Sequence, residues 1–233
     1  MLPWGAFPSL PVPRNLGDCS SHMQIPETRV RLQRSTERDV RVRGCGLQDA
    51  AALARLHTEN LSDRFGTQLI EIYYRALMQT GRSFCVCAEA NGSMVGYIGV
   101  VSSRKQILKV LVSRYLLAVL KCTLRHPRLL VKMLWKCKWP FRFPFLKPHS
   151  PDFGCEYRPV VISTNYRNLG IAHLLMAAAE GILMKTGITQ AFLSVHPTNT
   201  AALRAYEKFG FLSAGREVRP AIPMLKRFGG NTG

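Results

Sequence analysis

Residues 160–172 read Val-Val-Ile-Ser-Thr-Asn-Tyr-Arg-Asn-Leu-Gly-Ile-Ala, and the pattern changes within them. The three β-branched residues at the start predict a buried strand. From Leu169 to Lys185 apolar residues recur three and four positions apart, which predicts an amphipathic helix. A turn from a strand into a helix leaves backbone N–H groups unpaired at the positive end of the helix dipole. The stretch therefore predicts a place where an anion can bind.

Three residues of this turn suit a phosphate group. Gly170 allows a phosphate to approach the main chain closely, and Ala172 is small for the same purpose. Arg167 adds a fork of charged N–H donors. An ordinary strand-to-helix crossover with a capping glycine has the same short pattern, so the turn alone leaves both interpretations open.

A second pattern follows one strand further along the chain. Residues 189–195 read Thr-Gln-Ala-Phe-Leu-Ser-Val and predict a strand. Asn199 then opens a helix rich in Ala and Leu, which contains Tyr206 and ends at Gly210-Phe211. The order of the two patterns, one strand apart, is far more specific than either pattern alone.

The first pattern resembles the acyl-CoA loop of the GNAT superfamily of N-acetyltransferases: Arg or Gln, two residues, Gly, one residue, then Gly or Ala. Arg167, Gly170 and Ala172 match it, and the helix from Asn199 resembles the closing motif of the same family. The combined resemblance spans about residues 156–214.

The resemblance implies an α/β fold, with a GNAT-like, mixed but mostly antiparallel central sheet flanked by helices. The sheet would splay between its fourth strand, at 160–162, and its fifth, at 189–195. In the first half of the chain, the predicted elements follow the same order as in the family. It predicts a strand near 40–43, helices at 47–57 and 66–79, and strands at 83–89 and 94–101 joined through the hairpin turn Asn91-Gly92.

The resemblance also implies acetyl-CoA as cosubstrate. The loop would hold its pyrophosphate, and its pantetheine arm would pair with backbone groups in the splay, where an N–H near residue 161 or 162 would bind the thioester oxygen. An N-cap role for Asn199 is equally consistent with the sequence. The implied cofactor-binding residues are Ile162, Ser163, Arg167, Asn168, Leu169, Gly170, Ile171, Ala172 and Asn199.

Two residues are implied in catalysis. Tyr206 lies where the family places the acid that protonates the departing thiolate. A phenol has an ordinary pKa of about 10 and a thiol of about 8.5, so modest tuning permits this. Glu156 is the nearest carboxylate in the chain and could act as the base, directly or through water. A salt bridge from Glu156 to Arg158 or to another cation is equally consistent with the sequence.

The implied reaction is direct transfer of an acetyl group from acetyl-CoA to a primary amine of a small molecule, such as an amino sugar. Two alternatives stay open: a protein N-acetyltransferase, or a non-catalytic basic protein of the same fold that binds nucleic acid or a membrane surface. The net charge of +18 attracts anions of every class and does not choose among them. No nucleic-acid-binding motif is recognisable.

The cysteine content and the composition of the N-terminal residues lead to further expectations. The seven cysteines show neither disulfide-like nor metal-ligand spacing, which predicts buried thiols, a cytoplasmic location and no metal site. Residues 1–38 are rich in Pro, Ser and Arg and predict a flexible tail without a signal peptide, in which Met23 is an alternative start. Residues 39–228 predict a single domain.

Residues 104–151 form an insertion that departs from the compact family pattern. Lys and Arg recur through it without an Asp or Glu. Residues 107–120 are apolar nearly all round a helix, which predicts burial, and a second helix would start at Pro127. A lid over the substrate is the favoured interpretation, and contact of 104–147 with an anionic membrane surface is the alternative.

Overall fold

The computed structural model describes residues 28–32, 38–61, 66–124, 154–214 and 221–229. The strands are β1 Thr28–Leu32, β2 Arg38–Gly44, β3 Phe84–Ala90, β4 Ser93–Val101, β5 Cys155–Ile162, β6 Gln190–Val195, β7 Leu212–Ser213 and β8 Ile222–Arg227. The helices are α1 Ala50–Asn60, α2 Thr67–Met78, α3 Arg104–Leu124, α4 Ile171–Lys185 and α5 Thr200–Lys208.

The strands form one sheet in the order β1-β2-β3-β4-β5-β6-β8-β7. Every neighbouring pair is antiparallel except β5 and β6, which run parallel. The sheet is therefore mixed and mostly antiparallel, as predicted. The hairpin turn is confirmed too: Asn91 and Gly92 have φ of 51° and 73°, the positive values that a tight two-residue turn requires.

The sheet separates two hydrophobic clusters. On one face α4 and α5 cover a cluster that includes Ile98, Val100 and Tyr157. On the other face α1, α2 and the start of α3 cover a cluster that includes Tyr97 and Val101. Successive residues of β4 thus point to opposite faces, which is why its sequence is apolar throughout rather than alternating.

The parallel pair β5–β6 is joined only at its beginning. Cys155 lies opposite Ala191 and Glu156 opposite Phe192, and no further residues of these two strands pair. β6 instead continues its pairing with β8 through Val195. The strands part beyond Glu156, and the sheet therefore splays between β5 and β6. These two strands are the fourth and fifth strands of the sequence prediction, which does not include β1.

A bulge on β5 lies beside this parting. Ile98 pairs with Val160 and Val100 pairs with Tyr157, so Gly99 alone faces two residues of β5. Those two residues are Arg158 and Pro159, and Pro159 has no N–H to donate to a ladder. The extra residue resets the alternation of side chains, so Tyr157 and Val160 both contact the cluster under α4 although three positions separate them.

Two sequence expectations differ from the structure. Thr28–Leu32 were assigned to the flexible tail, but they pair with β2 as an edge strand. The prediction that residues 107–120 are buried is wrong. Ile107 is buried, but Leu117 is 81% exposed, and Val112, Leu116 and Leu120 are exposed as well. The helix presents only part of its circumference to α2, through contacts such as Gln79 Nε2 donating to Tyr115 Oη at 2.6 Å.

The rest of the insertion, including the helix expected from Pro127, lies outside the described residues, as do residues 1–27. Membrane contact of 104–147 stays a prediction. Within the described part of the chain, no helix is both long and apolar enough to cross a membrane.

We predict that Gly99→Ala destabilises the fold by about 1–3 kcal/mol, the usual cost of overpacking. A Cβ at Gly99 would lie 2.4 Å from the carbonyl oxygen of Arg158, a main-chain atom that cannot move without disturbing the bulge. The measurement is urea unfolding followed by circular dichroism. Gly181→Ala in α4 is the matched control, because a Cβ there meets nothing within 4 Å and the helix favours alanine. Equal stabilities of the two variants would contradict the close approach of β4 and β5.

Candidate functional site

The opening between β5 and β6 exposes one edge of β5. The N–H of Ser163 donates to the carbonyl of Val95 at 2.8 Å, and Val161 lies opposite Tyr97. Because backbone groups alternate in direction along an antiparallel strand, those of Val160 and Ile162 point away from β4 and into the opening. Of the two residues predicted to pair with the arm, Ile162 therefore faces the opening, whereas the N–H of Ser163 is used within the sheet.

The turn after β5 leads directly into the N-terminus of α4. Asn168 and Gly170 both have left-handed backbones, with φ of 62° and 80°. Gly170 is the N-cap, and no side chain in the described chain caps this end. The first helical bond is from Leu174 N to Gly170 O at 3.2 Å, so the N–H groups of residues 171–173 have no intrahelical acceptor. A Cβ at Gly170 would meet nothing within 4 Å, so the space above this turn is open.

Arg167 ties this turn to its surroundings. Its Nε donates to the carbonyl of Ile162 at 3.2 Å, and its Nη2 donates to Asn60 Oδ1 at 3.3 Å. The guanidinium is exposed and lies between the end of β5 and the end of α1. The turn thus combines unpaired helix N–H groups with the positive charge of Arg167, and both favour an anion.

Helix α5 carries two of the predicted residues. Asn199 is its N-cap, and the Oδ1 atom accepts from Ala202 N at 3.2 Å, so the capping alternative is realised. Tyr206 packs on the cluster under α4, with its ring centroid 6.1 Å from that of Phe211. Burial raises the pKa of Tyr206 to about 12, because the ionised phenolate loses solvation there. The phenol therefore keeps its proton throughout the physiological pH range.

Glu156 lies on the other face of the sheet, where β5 and β6 part. It is buried, and both carboxylate oxygens accept from guanidinium groups. Arg104, the first residue of α3, donates to Oε2 through Nε at 3.1 Å and also through Nη2. Arg158 Nη1 donates to Oε1 at 3.4 Å. The salt-bridge alternative for Glu156 is thus observed, with two partners rather than one.

Sequence reasoning missed Arg104 and Tyr73 at this place. Arg104 is 52 positions from Glu156, and nothing in the pattern of the insertion distinguishes it from the other cations. Burial raises the pKa of the Tyr73 phenol of α2, and the charges of Arg158, Glu156 and Arg104 act on the same phenol. A contact between elements so distant in sequence has no local signal.

The same face holds a compact polar cluster inside the apolar core. His57 Nδ1 lies 2.7 Å from Tyr74 Oη and 2.9 Å from Tyr97 Oη, and the two phenol oxygens are 2.6 Å apart. All three residues are buried. His57 is thus a packed histidine, and the cluster joins α1, α2 and β4.

The buried thiols agree with the sequence expectation. Cys85, Cys87 and Cys155 are buried, and the described cysteines are free thiols. Burial raises the pKa of Cys155 to about 12, which keeps that thiol protonated and unreactive.

Comparison with known protein families finds a match to one part of this chain. The sequence model of the acetyltransferase (GNAT) family matches residues 131–211, which include β5, the anion-binding turn, β6 and Tyr206. No curated protein sequence matches this chain.

Several solved acetyltransferases share the architecture. An acetyltransferase of the GNAT family from Streptococcus pneumoniae is 18% identical, with a TM-score of 0.51, 82% of this chain covered and 99% of that one. The GNAT domain of S. lividans PAT is 12% identical, with a TM-score of 0.55 and coverages of 87% and 97%. The ribosomal-protein-S18-alanine N-acetyltransferase from Escherichia coli is 13% identical, with a TM-score of 0.52 and coverages of 83% and 97%. These likenesses show the GNAT fold.

We predict that Gly170→Ala weakens acetyl-CoA binding about 10–100-fold, because the new Cβ occupies the open space above the helix N-terminus and displaces a charge-assisted contact. Isothermal titration calorimetry with acetyl-CoA measures the effect. Gly187→Ala is the matched control at the other end of α4. It has a φ of 75° and equally open space, so both variants lose about 1–2 kcal/mol of stability from a left-handed alanine. Equal acetyl-CoA affinities in the two variants would refute the anion-binding turn.

Proposed function

We propose that this acetyltransferase transfers the acetyl group of acetyl-CoA directly to the primary amine of a small molecule. The observation that carries the proposal is the parting of β5 from β6 beside the uncapped N-terminus of α4. A strand edge with unpaired backbone groups fits an amide-bearing arm, and open helix N–H groups fit phosphates. The residues of this chain thus fit both ends of acetyl-CoA.

The pyrophosphate would lie on residues 168–172, with Arg167 as the charged partner. The arm would then extend along β5 toward the point where the strands part, with Ile162 offering its backbone N–H, since its carbonyl accepts from Arg167 Nε. The thioester is at the far end of the arm, so its carbonyl reaches deepest into the opening. We propose that the N–H of Val160, which faces the opening, stabilises negative charge on the thioester oxygen in place of the N–H expected near residue 161 or 162, because the N–H of Val161 points toward β4.

Tyr206 is proposed to assist the departing thiolate. With a pKa of about 12 its phenol is a weaker acid than an ordinary thiol, so complete proton transfer to the thiolate would be uphill. A hydrogen bond from the phenol to the developing thiolate is stabilising without such a transfer. We therefore assign Tyr206 the role of donor to the leaving sulfur. Asn199 is proposed to hydrogen-bond the arm through the amide group that also caps α5.

The amine attacks only when neutral, so a proton must leave it. Glu156 is the proposed base, acting directly or through a water. A carboxylate offers about four lone-pair positions, and the bonds to Arg104 and Arg158 leave capacity for one more partner. Positioned by two cations, Glu156 lies close to the depth at which the thioester carbonyl is expected.

A protein amine is the second candidate acceptor. The acetyltransferase from Escherichia coli that shares this fold is named for an alanine of ribosomal protein S18. The donor-side residues would act identically on either acceptor, and α1 to α3, which line the acceptor side, precede the segment that the family model matches.

We expect Arg167→Ala to weaken acetyl-CoA binding about 10–100-fold, the effect of losing charge-assisted hydrogen bonds to the pyrophosphate. Calorimetric titration of the intact chain measures it. Arg55→Ala is the control, since it removes the same charge from an exposed position on α1. If neither the wild type nor the variants bind acetyl-CoA, the catalytic proposal fails. Binding to RNA that weakens steeply with added salt would then favour the non-catalytic alternative.

For Tyr206→Phe we expect turnover to fall about 100-fold with an accepted amine, while the dissociation constant of acetyl-CoA stays unchanged. The phenyl ring preserves the packing against Phe211 and removes only the hydroxyl. Release of free CoA thiol, followed with a thiol reagent, gives the turnover, and calorimetry gives the affinity. Wild-type turnover in this variant would exclude Tyr206 from proton donation.

A further inference from the structure

We propose that the outward side of α3 binds the surface of an anionic lipid bilayer, with its leucines inserted at the interface and its lysines on the lipid phosphates. This surface is separate from the residues proposed to hold acetyl-CoA. The inference therefore holds or fails independently of the proposed acetyl transfer.

One side of α3 packs against the rest of the fold. Arg104, its first residue, donates to Glu156 of β5 through Nε at 3.1 Å. Ile107 is buried in the cluster under α1 and α2. One turn after the middle of the helix, Tyr115 Oη accepts from Gln79 Nε2 of α2 at 2.6 Å. These contacts fix the position of α3 and the direction of its outward side.

The outward side presents large apolar side chains to solvent. Leu117 is 81% exposed, and Val112, Leu116 and Leu120 are about half-exposed. Elsewhere in the described part of the chain, the exposed large apolar side chains lie at separated positions, namely Leu47, Met184 and Leu212. Single exposed apolar residues are common on soluble proteins, whereas a cluster on one side of a helix indicates a contact surface.

Cations lie on the same side of the helix. Residues three or four positions apart are neighbours on a helix surface, and one such stripe consists of Lys105, Lys109, Val112, Leu116 and Leu120. Arg114 and Lys121 are neighbours of Leu117 by the same spacing, and both are exposed. The sequence of α3 contains no Asp or Glu. The helix itself therefore supplies no acidic partner for its cations.

An anionic bilayer surface matches both kinds of side chain. Leucines enter the boundary between the headgroups and the acyl chains, and the stems of the lysines lie along that apolar surface while the ammonium groups reach the phosphates. Attraction to acidic headgroups adds to the burial of the leucines. The net charge of +18 draws the whole chain toward the same surface.

Two other partners match this side of α3 less well. A second copy of the chain would bury the lysines of one α3 while the other α3 offers no acidic residue to pair with them. Nucleic acid would contact the cations through its phosphates, but exposed leucines gain little from a phosphate backbone. Lipid is the partner whose chemistry suits the leucines and the lysines together.

Co-sedimentation of the full chain with lipid vesicles tests the inference. The vesicles consist either of phosphatidylcholine alone or of equal parts phosphatidylcholine and phosphatidylserine. The test variants are Leu117→Gln and Lys109→Gln. The matched controls are Met184→Gln and Lys185→Gln, which change an exposed apolar residue and an exposed lysine of α4, on the opposite face of the sheet.

We expect the wild type to bind the phosphatidylserine vesicles about 10-fold or more tightly than vesicles of phosphatidylcholine alone. Leu117→Gln should weaken binding to the phosphatidylserine vesicles about 10-fold, because one leucine no longer leaves water. Lys109→Gln should weaken it about 5-fold, the effect of one cation at such a surface. Both controls should bind as the wild type does, and all four variants should keep the wild-type affinity for acetyl-CoA.

Any of the following results would overturn the inference. The wild type could fail to sediment with the phosphatidylserine vesicles. Equal losses with Lys109→Gln and Lys185→Gln would indicate a general attraction of the basic chain, and unchanged binding by Leu117→Gln would show that the leucines do not insert. A lower melting temperature of Leu117→Gln, but not of Met184→Gln, would show that another part of the chain covers this side of α3. A wild-type dimer that Leu117→Gln dissociates, measured by light scattering, would assign the surface to a second copy.

Discussion

Two residue pairs hold β5 against β6, and the rest of the site depends on the separation of the two strands beyond those pairs. A central strand that loses its neighbour leaves N–H and carbonyl groups without partners, which is costly in a buried place unless water or a ligand satisfies them. Here β6 turns to β8, and the freed edge of β5 faces the opening. The bulge at Arg158 and Pro159 lies at the same point, because Gly99 opposite it allows the two main chains to approach.

Charged groups lie at both ends of the opening. At its outer end, the turn before α4 combines left-handed residues, an uncapped helix N-terminus and Arg167. At its inner end, Arg104 and Arg158 both form ion pairs with Glu156. The two places lie at different ends of one strand. The high positive charge of the chain adds a long-range attraction to both.

The two faces of the sheet are packed with different kinds of side chain. Under α4 the cluster is built from aliphatic and aromatic side chains, and Tyr206 rests on its edge with a protonated phenol. Under α1 and α2 the cluster includes the bonded residues His57, Tyr74 and Tyr97. Such a network fixes α1 and α2 relative to β4, since each polar group loses its partner if either helix moves. This face of the sheet is thereby held rigid, and Arg104 ties the start of α3 to Glu156 of β5.

The sequence alone determined the features that depend on neighbouring residues. These are the strand and helix around residues 160–172, the hairpin at Asn91-Gly92 and, through the resemblance, the mixed sheet. Each follows from local backbone preference or from side-chain period. What only the tertiary structure decided depends on residues far apart in the chain: the ion pairs of Glu156, the burial that raises the pKa of Tyr206, the direction of the Ser163 N–H, and the exposure of α3. An apolar helix is buried only if other elements cover all of its sides. A carboxylate forms an ion pair only if the fold brings a cation next to it. The local sequence pattern predicts neither contact.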